Sequence, residues 1–198
     1  MKRVWVTLML ICFVSGFGQS SEGLSETTAV RSYQLDDNQS HFIIKGTSSL
    51  HDWEMISNDF EGVITYELLS DIINVEKVHV NVGVTTLESG KKIMNKKCYD
   101  ALKSDDHPTI KYRFGQLKNL TNTSNNTFSG VFSGTLDIAG VKKNVNIDVV
   151  ITLTSNSITI KGEKPLKMTD FGVEPPTALL GTLKTGDDII IDFNLNYH

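Results

Sequence analysis

From Arg31 to the C-terminus the chain alternates apolar and polar side chains with a period of two, the spacing of a strand that buries one face. Phe42 and Ile44 alternate with His41, Ile43 and Lys45, and Phe60, Ile64, Tyr66 and Leu68 alternate with Glu61, Thr65 and Glu67. Val78, Val80, Val82 and Val84 share one parity, a β-branched file that makes poor helix. Ile110, Tyr112 and Phe114 follow, then Phe128, Phe132, Leu136 and Ile138, then Val145 to Leu153 on odd numbers. Ile158 with Ile160, and Ile189, Ile191, Phe193, Leu195 and Tyr197, complete about eight predicted strands.

Turn signals separate these strands at Ser70-Asp71, Ala139-Gly140, Ser155-Asn156-Ser157 and Gly186-Asp187. Most connections are too short for a parallel crossover, so the strands are expected to run antiparallel as a meander. Residues 118–127 (KNLTNTSNNT) read as a polar loop, with sequons at Asn119-Leu120-Thr121 and Asn122-Thr123-Ser124 that also suit turns. One helix is predicted over 91–103, where Met94, Cys98, Ala101 and Leu102 fall on one face before Pro108. A weaker turn is expected around Ala178 to Leu180.

Eight antiparallel strands with one apolar face can stack as two sheets or close on themselves, and closure removes exposed edges. Glycine placement favours the barrel. Gly46, Gly62, Gly130 and Gly134 all fall on the apolar parity, where a packed core would carry a side chain. Two reasons fit: room for a guest in the lumen, or bending at barrel corners.

The chain has 198 residues, 39% of them apolar and 21% charged, which suits one globular domain. Lys2 and Arg3 precede an apolar run from Val4 to Phe17, with Gly16 and Gly18 near its end, so residues 1–18 read as a signal peptide. At 14 residues the run is shorter than the roughly 20 that span a bilayer. Ile11, bulky before Cys12, disfavours a lipidated cysteine. Residues 19–30 read as a flexible polar segment and 31–198 as the domain, which is expected to be periplasmic or secreted, without a stable membrane span once the signal is cleaved.

Loss of Lys2 and Arg3 from the 19 basic residues leaves 17 against 23 acidic, a net charge of −6. That balance argues against nucleic acid as a partner. Removal of Cys12 leaves Cys98 alone, so no intramolecular disulfide can form. The chain lacks CxxC, HExxH, GxSxG, GxGxxG and P-loop motifs, which leaves zinc, hydrolase and nucleotide chemistry without a foothold. Asp170-Phe171-Gly172 spells a kinase triplet without the rest of the kinase set. His51-Asp52-Trp53 is the most suggestive polar cluster, an imidazole and a carboxylate beside an indole donor. Neighbours on a strand point to opposite faces, which favours a structural or headgroup role for His51 over catalysis.

The ordered set Ser49-Leu50-His51-Asp52-Trp53, Phe60-Glu61-Gly62, Thr86-Leu87-Glu88-Ser89-Gly90, Pro108-Thr109-Ile110-Lys111-Tyr112, Leu136 to Lys143, and Met168-Thr169-Asp170-Phe171-Gly172-Val173 resembles the YceI-like family over about residues 31–197. The resemblance implies an all-β, extended eight-stranded antiparallel lipocalin-like β-barrel with one or two short helices. It also implies export to the periplasm and an apolar tunnel that takes a polyisoprenoid or other long-chain lipid. One departure stands out: many members carry Arg-Asp-x-His-Leu in the helix region, where this chain has Met94-Asn95-Lys96-Lys97-Cys98, so headgroup contacts there do not transfer.

The expected function is noncatalytic binding, sequestration or transport of such an amphiphile, with no cofactor or metal. Lumen candidates are Phe42, Ile44, Phe60, Ile64, Val80, Val82, Tyr112, Phe114, Phe128, Phe132, Phe171 and Phe193; headgroup candidates are His51, Asp52 and Trp53, with the helix as partial lid. The alternatives are a secreted interaction module with a filled core, or an enzyme using His51 and Asp52. The resemblance also allows a homodimer.

Overall fold

The computed structural model describes residues 29–57, 59–69, 72–124, 126–178 and 181–198. The expected signal peptide and most of the segment at 19–30 lie outside these residues, as do Ser70, Asp71, Leu179 and Leu180 from the expected turns. Ten strands form: β1 (Val30–Ser48), β2 (Trp53–Ser57), β3 (Phe60–Leu69), β4 (Ile72–Gly83), β5 (Thr109–Ser124), β6 (Thr127–Ile138), β7 (Val141–Leu153), β8 (Ile158–Lys167), β9 (Thr177–Ala178) and β10 (Leu183–Tyr197). One α-helix, α1 (Lys92–Ala101), follows a 3₁₀ turn at Val84–Thr86, and a second 3₁₀ turn spans Met168–Phe171.

The strands pair antiparallel in the order β2-β1-β3-β4-β5-β6-β7-β8-β10-β9, and a β1–β10 ladder closes the sheet. The N-terminal half of β1 pairs with β3 and its C-terminal half with β2, so β2 and β3 share one place in the wall. The result is the expected all-β, eight-stranded antiparallel barrel with a helix at one end. β9 is a two-residue addition to the start of β10.

Parity puts the predicted faces inside. Val145, Ile147, Val149, Ile151 and Leu153 of β7 are buried, as are Ile191, Phe193, Leu195 and Tyr197 of β10. β4 changes parity along its length, from Ile73 and Val75 to Val78, Val80 and Val82. The β3–β4 register shifts between Thr65 and Tyr66, which pair with Lys77 and Val75. The bulge absorbs Glu76, so both stretches still face inward. The β6–β7 hairpin turns on two residues, Ala139 (φ 49°) and Gly140 (φ 82°), between the paired Ile138 and Val141. Two successive positive φ values match the strand twist of a type I′ turn.

Two expectations change. Residues 118–124 continue β5 and pair with β6, with register shifts, instead of forming a loop. Side-chain preference marks them as turn formers, but the ladder supplies their backbone partners, and residues 121–124 are polar because they are exposed. The second change concerns glycine, whose missing side chains leave no open lumen. A Cβ on Gly46 would meet the Trp53 indole, one on Gly62 the His79 carbonyl and Leu35, one on Gly130 the Leu117 side chain, and one on Gly134 the Arg113 carbonyl and Tyr112 hydroxyl. Each glycine admits a neighbour's close approach, so the guest-room reading of these four positions does not hold.

Candidate functional site

The open end of the barrel is roofed by α1. A ten-residue helix is marginal by itself, so its position depends on packing and ties to the barrel. Tyr99 Oη donates to the Leu87 carbonyl at 2.9 Å, Lys97 Nζ to the Thr177 carbonyl at 2.7 Å, and the Ser89 amide to Asn95 Oδ1 at 2.9 Å. Met94, Cys98, Ala101 and Leu102 pack toward the core, as the helical spacing predicts. Opposite them, the 3₁₀ turn after β8 buries Met168 and Phe171, and Val173 follows. Asp187 fixes this turn by accepting from the Thr169 amide at 2.9 Å and its hydroxyl at 2.7 Å. Those donors hold the Asp187 carboxyl below its ordinary pKa.

Between these walls lies a pocket of about 650 Å³. Its apolar lining includes Ile44, Met55, Met94, Ala101, Leu102, Ile138, Met168, Phe171, Val173, Leu183 and Ile189. The volume falls within the range of small-molecule sites. Cys98 also lines it, and burial pushes its thiol up to about 12 from an ordinary 9.0. The thiol therefore behaves as a small apolar group rather than a nucleophile. All three methionines after residue 28, Met55, Met94 and Met168, line this pocket, and thioethers suit a surface that adapts to differently shaped guests.

Deeper in the barrel lies a void of about 60 Å³, bounded by residues including Phe42, Val80, Val82, Tyr112, Phe132 and Phe193. Beyond it the interior closes. Tyr66, Ile151, Ile158 and Tyr197 have no exposed surface. The structure thus sorts the twelve lumen candidates by height. Ile44 and Phe171 line the large pocket; Phe42, Val80, Val82, Tyr112, Phe132 and Phe193 line the narrow void; Phe60, Ile64, Phe114 and Phe128 line neither. Phe114 packs edge-on against Phe132 at 5.0 Å, and Phe60 lies 6.3 Å from Phe42, ring centre to ring centre.

The headgroup candidates sit at the rim. His51 and Trp53 line both the pocket and an adjoining, more polar groove, whereas Asp52 lines only the groove. Trp53 Nε1 donates to the Thr47 carbonyl at 2.8 Å, so the indole donor is already used within the protein. His51 Nδ1 lies 2.6 Å from the Asp52 backbone oxygen, and the histidine and aspartate side chains form no catalytic-type pair. Among the described residues no group of three or more His, Cys, Asp or Glu side chains gathers as a metal site. None of their helices is long and apolar enough to cross a membrane.

Reasoning from parity missed Met55, Ile138, Met168, Val173, Leu183 and Ile189 as pocket residues. The methionine distribution was the available signal for two of them.

Solved structures share this architecture. BcnA from Burkholderia cenocepacia aligns with TM-score 0.65 and 17% identity, covering 82% of this chain and 98% of its own. A polyisoprenoid binding domain from Saccharophagus degradans, implicated in plant cell wall breakdown, aligns with TM-score 0.66 and 15% identity, covering 84% of this chain and 97% of its own. A YceI protein from Campylobacter jejuni reaches TM-score 0.56 at 19% identity, over 71% of this chain and 81% of its own. At these identities the likeness establishes the fold. A search of curated proteins finds no match. The model of the YceI-like domain matches residues 33–197.

Proposed function

This chain belongs to the YceI-like domain family, and on that premise we propose that it binds a long-chain amphiphile without catalysis, seating the apolar tail in the pocket under α1. The observation that carries this reading is the pocket itself, about 650 Å³ of mainly apolar wall at the mouth of a barrel whose remaining interior is nearly full. At about 0.8 kcal/mol per buried methylene, a chain of about twenty carbons gains on the order of 16 kcal/mol gross on burial, before the costs of ordering and association. The polyisoprenoid binding domain of S. degradans, which shares the fold, supports an isoprenoid or similarly extended lipid as the guest.

Ile44 and Phe171 of the predicted lumen set contact the tail directly in this proposal, and the six residues around the narrow void bound its depth. His51 and Trp53 shape the rim. Residues 1–18 serve as an export signal, which places the barrel in the periplasm or outside the cell, where it sequesters or carries its lipid. Organic extraction of the purified protein followed by mass spectrometry tests the proposal. A stoichiometric lipid is expected; an empty extract, together with no uptake of added lipid, returns the barrel to the rival reading of an interaction module with no guest.

A further inference from the structure

The titratable side chains around the mouth pocket are distributed unevenly. Lys91, Lys92, Lys97, Lys167 and His51 line it with Cys98, and among the described residues no aspartate or glutamate does, although the chain as a whole carries 23 acidic against 19 basic residues. Asp52, Glu54, Asp170 and Asp188 line the neighbouring groove instead, which shares His51, Trp53, Lys91 and Lys167 with the pocket, whereas Lys92 and Lys97 line the pocket alone. Lys167 is drawn toward them, 3.0 Å from Asp188 and 3.9 Å from Asp187. Lys97 has spent one donor on the Thr177 carbonyl. Lys91 and Lys92 are exposed and have no ion-pair or hydrogen-bond partner for their ammonium groups among the described residues.

An amphiphile seated tail-first leaves its polar end at this rim. On the α1 side the end meets the ammonium groups of Lys91, Lys92 and Lys97, and the described lining of the pocket holds no carboxylate to compete for them, which suits charge-assisted hydrogen bonds to an anion. We propose that the guest carries an anionic headgroup, a carboxylate or a phosphate, held on the α1 side of the mouth by Lys91 and Lys92 with Lys97 beside them. The proposal rests on the lipid-binding reading above and adds the chemical class of the head. A neutral head gains only ordinary hydrogen bonds from these ammonium groups, without the charge attraction, and a cationic one is repelled.

The test titrates the full chain with four probes, palmitate and hexadecanol, and geranylgeranyl phosphate and geranylgeraniol, by calorimetry at low and moderate salt. At least one anion is expected to bind about tenfold or more tightly than its matched alcohol, the scale of one charge-assisted hydrogen bond. Added salt should narrow that gap. Which anion shows it separates a carboxylate source from a phosphate source. The double variant Lys91→Gln/Lys92→Gln, at exposed positions, should bring the anion down to about the affinity of its alcohol. Equal binding of anion and alcohol, or an anion preference untouched by the double variant, overturns the inference and leaves lipid binding standing. If none of the four binds, the lipid-binding reading itself fails.

Discussion

At the end of the barrel where β3 passes to β4 and β7 to β8, Tyr66, Ile73, Ile151, Ile158 and Tyr197 are at most 1% exposed and belong to one buried hydrophobic cluster. At the other end, α1 replaces strand as the covering element, and its inward Met94, Cys98 and Ala101 are only half-buried around the pocket. Both ends obey the same inward alternation. Large and β-branched residues filling a circle of strands from all sides leave no room, whereas a helix laid over the opening bridges the barrel without entering it. One end is therefore built for stability, and the other gives up packing contacts for space.

The most disruptive way to probe this contrast is to remove mass from each end. Ile158→Ala should cost about 2–5 kcal/mol in urea unfolding, since it opens a cavity in a fully packed region. Met94→Ala, beside an existing void, should cost less than about 1 kcal/mol on the area scale. Equal losses would mean the mouth is as tightly packed as the far end.

Adding mass should sort the two regions the other way. Gly134→Ala pushes a methyl group against the Arg113 carbonyl and Tyr112 and is expected to destabilise by about 1–3 kcal/mol. Ala101→Phe projects a ring into the pocket. It should leave the unfolding midpoint nearly unchanged while lowering lipid affinity about tenfold, or ~1.4 kcal/mol. Unchanged affinity in that variant would show that the tail lies elsewhere.

The last effect is absent at neutral pH. The native Cys98 thiol titrates near 12, whereas an ordinary thiol titrates near 9.0. Above pH 9 the unfolded chain gives up a proton that the folded chain retains. Stability contributed by the neutral buried thiol is thus complete below pH 9 and is lost as pH rises toward 12. Wild type should weaken faster than Cys98→Ala across that window in chemical denaturation. Parallel curves would place the thiol in water rather than in the pocket wall.

These contrasts are partly legible in the amino-acid sequence. The alternation of Phe128, Phe132, Leu136 and Ile138, and of Val145 through Leu153, identified the buried faces correctly. The spacing of Met94, Cys98 and Leu102 identified the helix face that covers the mouth. The glycines agree with a barrel but do not open room for a guest, because a missing side chain says nothing about which neighbour moves into the space, and Trp53, Leu117 and Tyr112 come from elsewhere in the chain. The polar run at 118–124 is strand for a related reason: a ladder partner supplied by β6 outweighs local turn preference.

Periodicity, turn chemistry and the ordered motifs were enough to determine strands, barrel, helix and family from sequence, because each depends on residues close together along the chain or on their order within it. Tertiary structure alone decided that Ile44 borders open space while Ile64 is sealed. Parity specifies in or out but not height along the axis, and a void is what remains after side chains from every strand and the covering helix have met. That sum is nonlocal, so the pocket and the lysines that line its mouth appear only when the barrel closes.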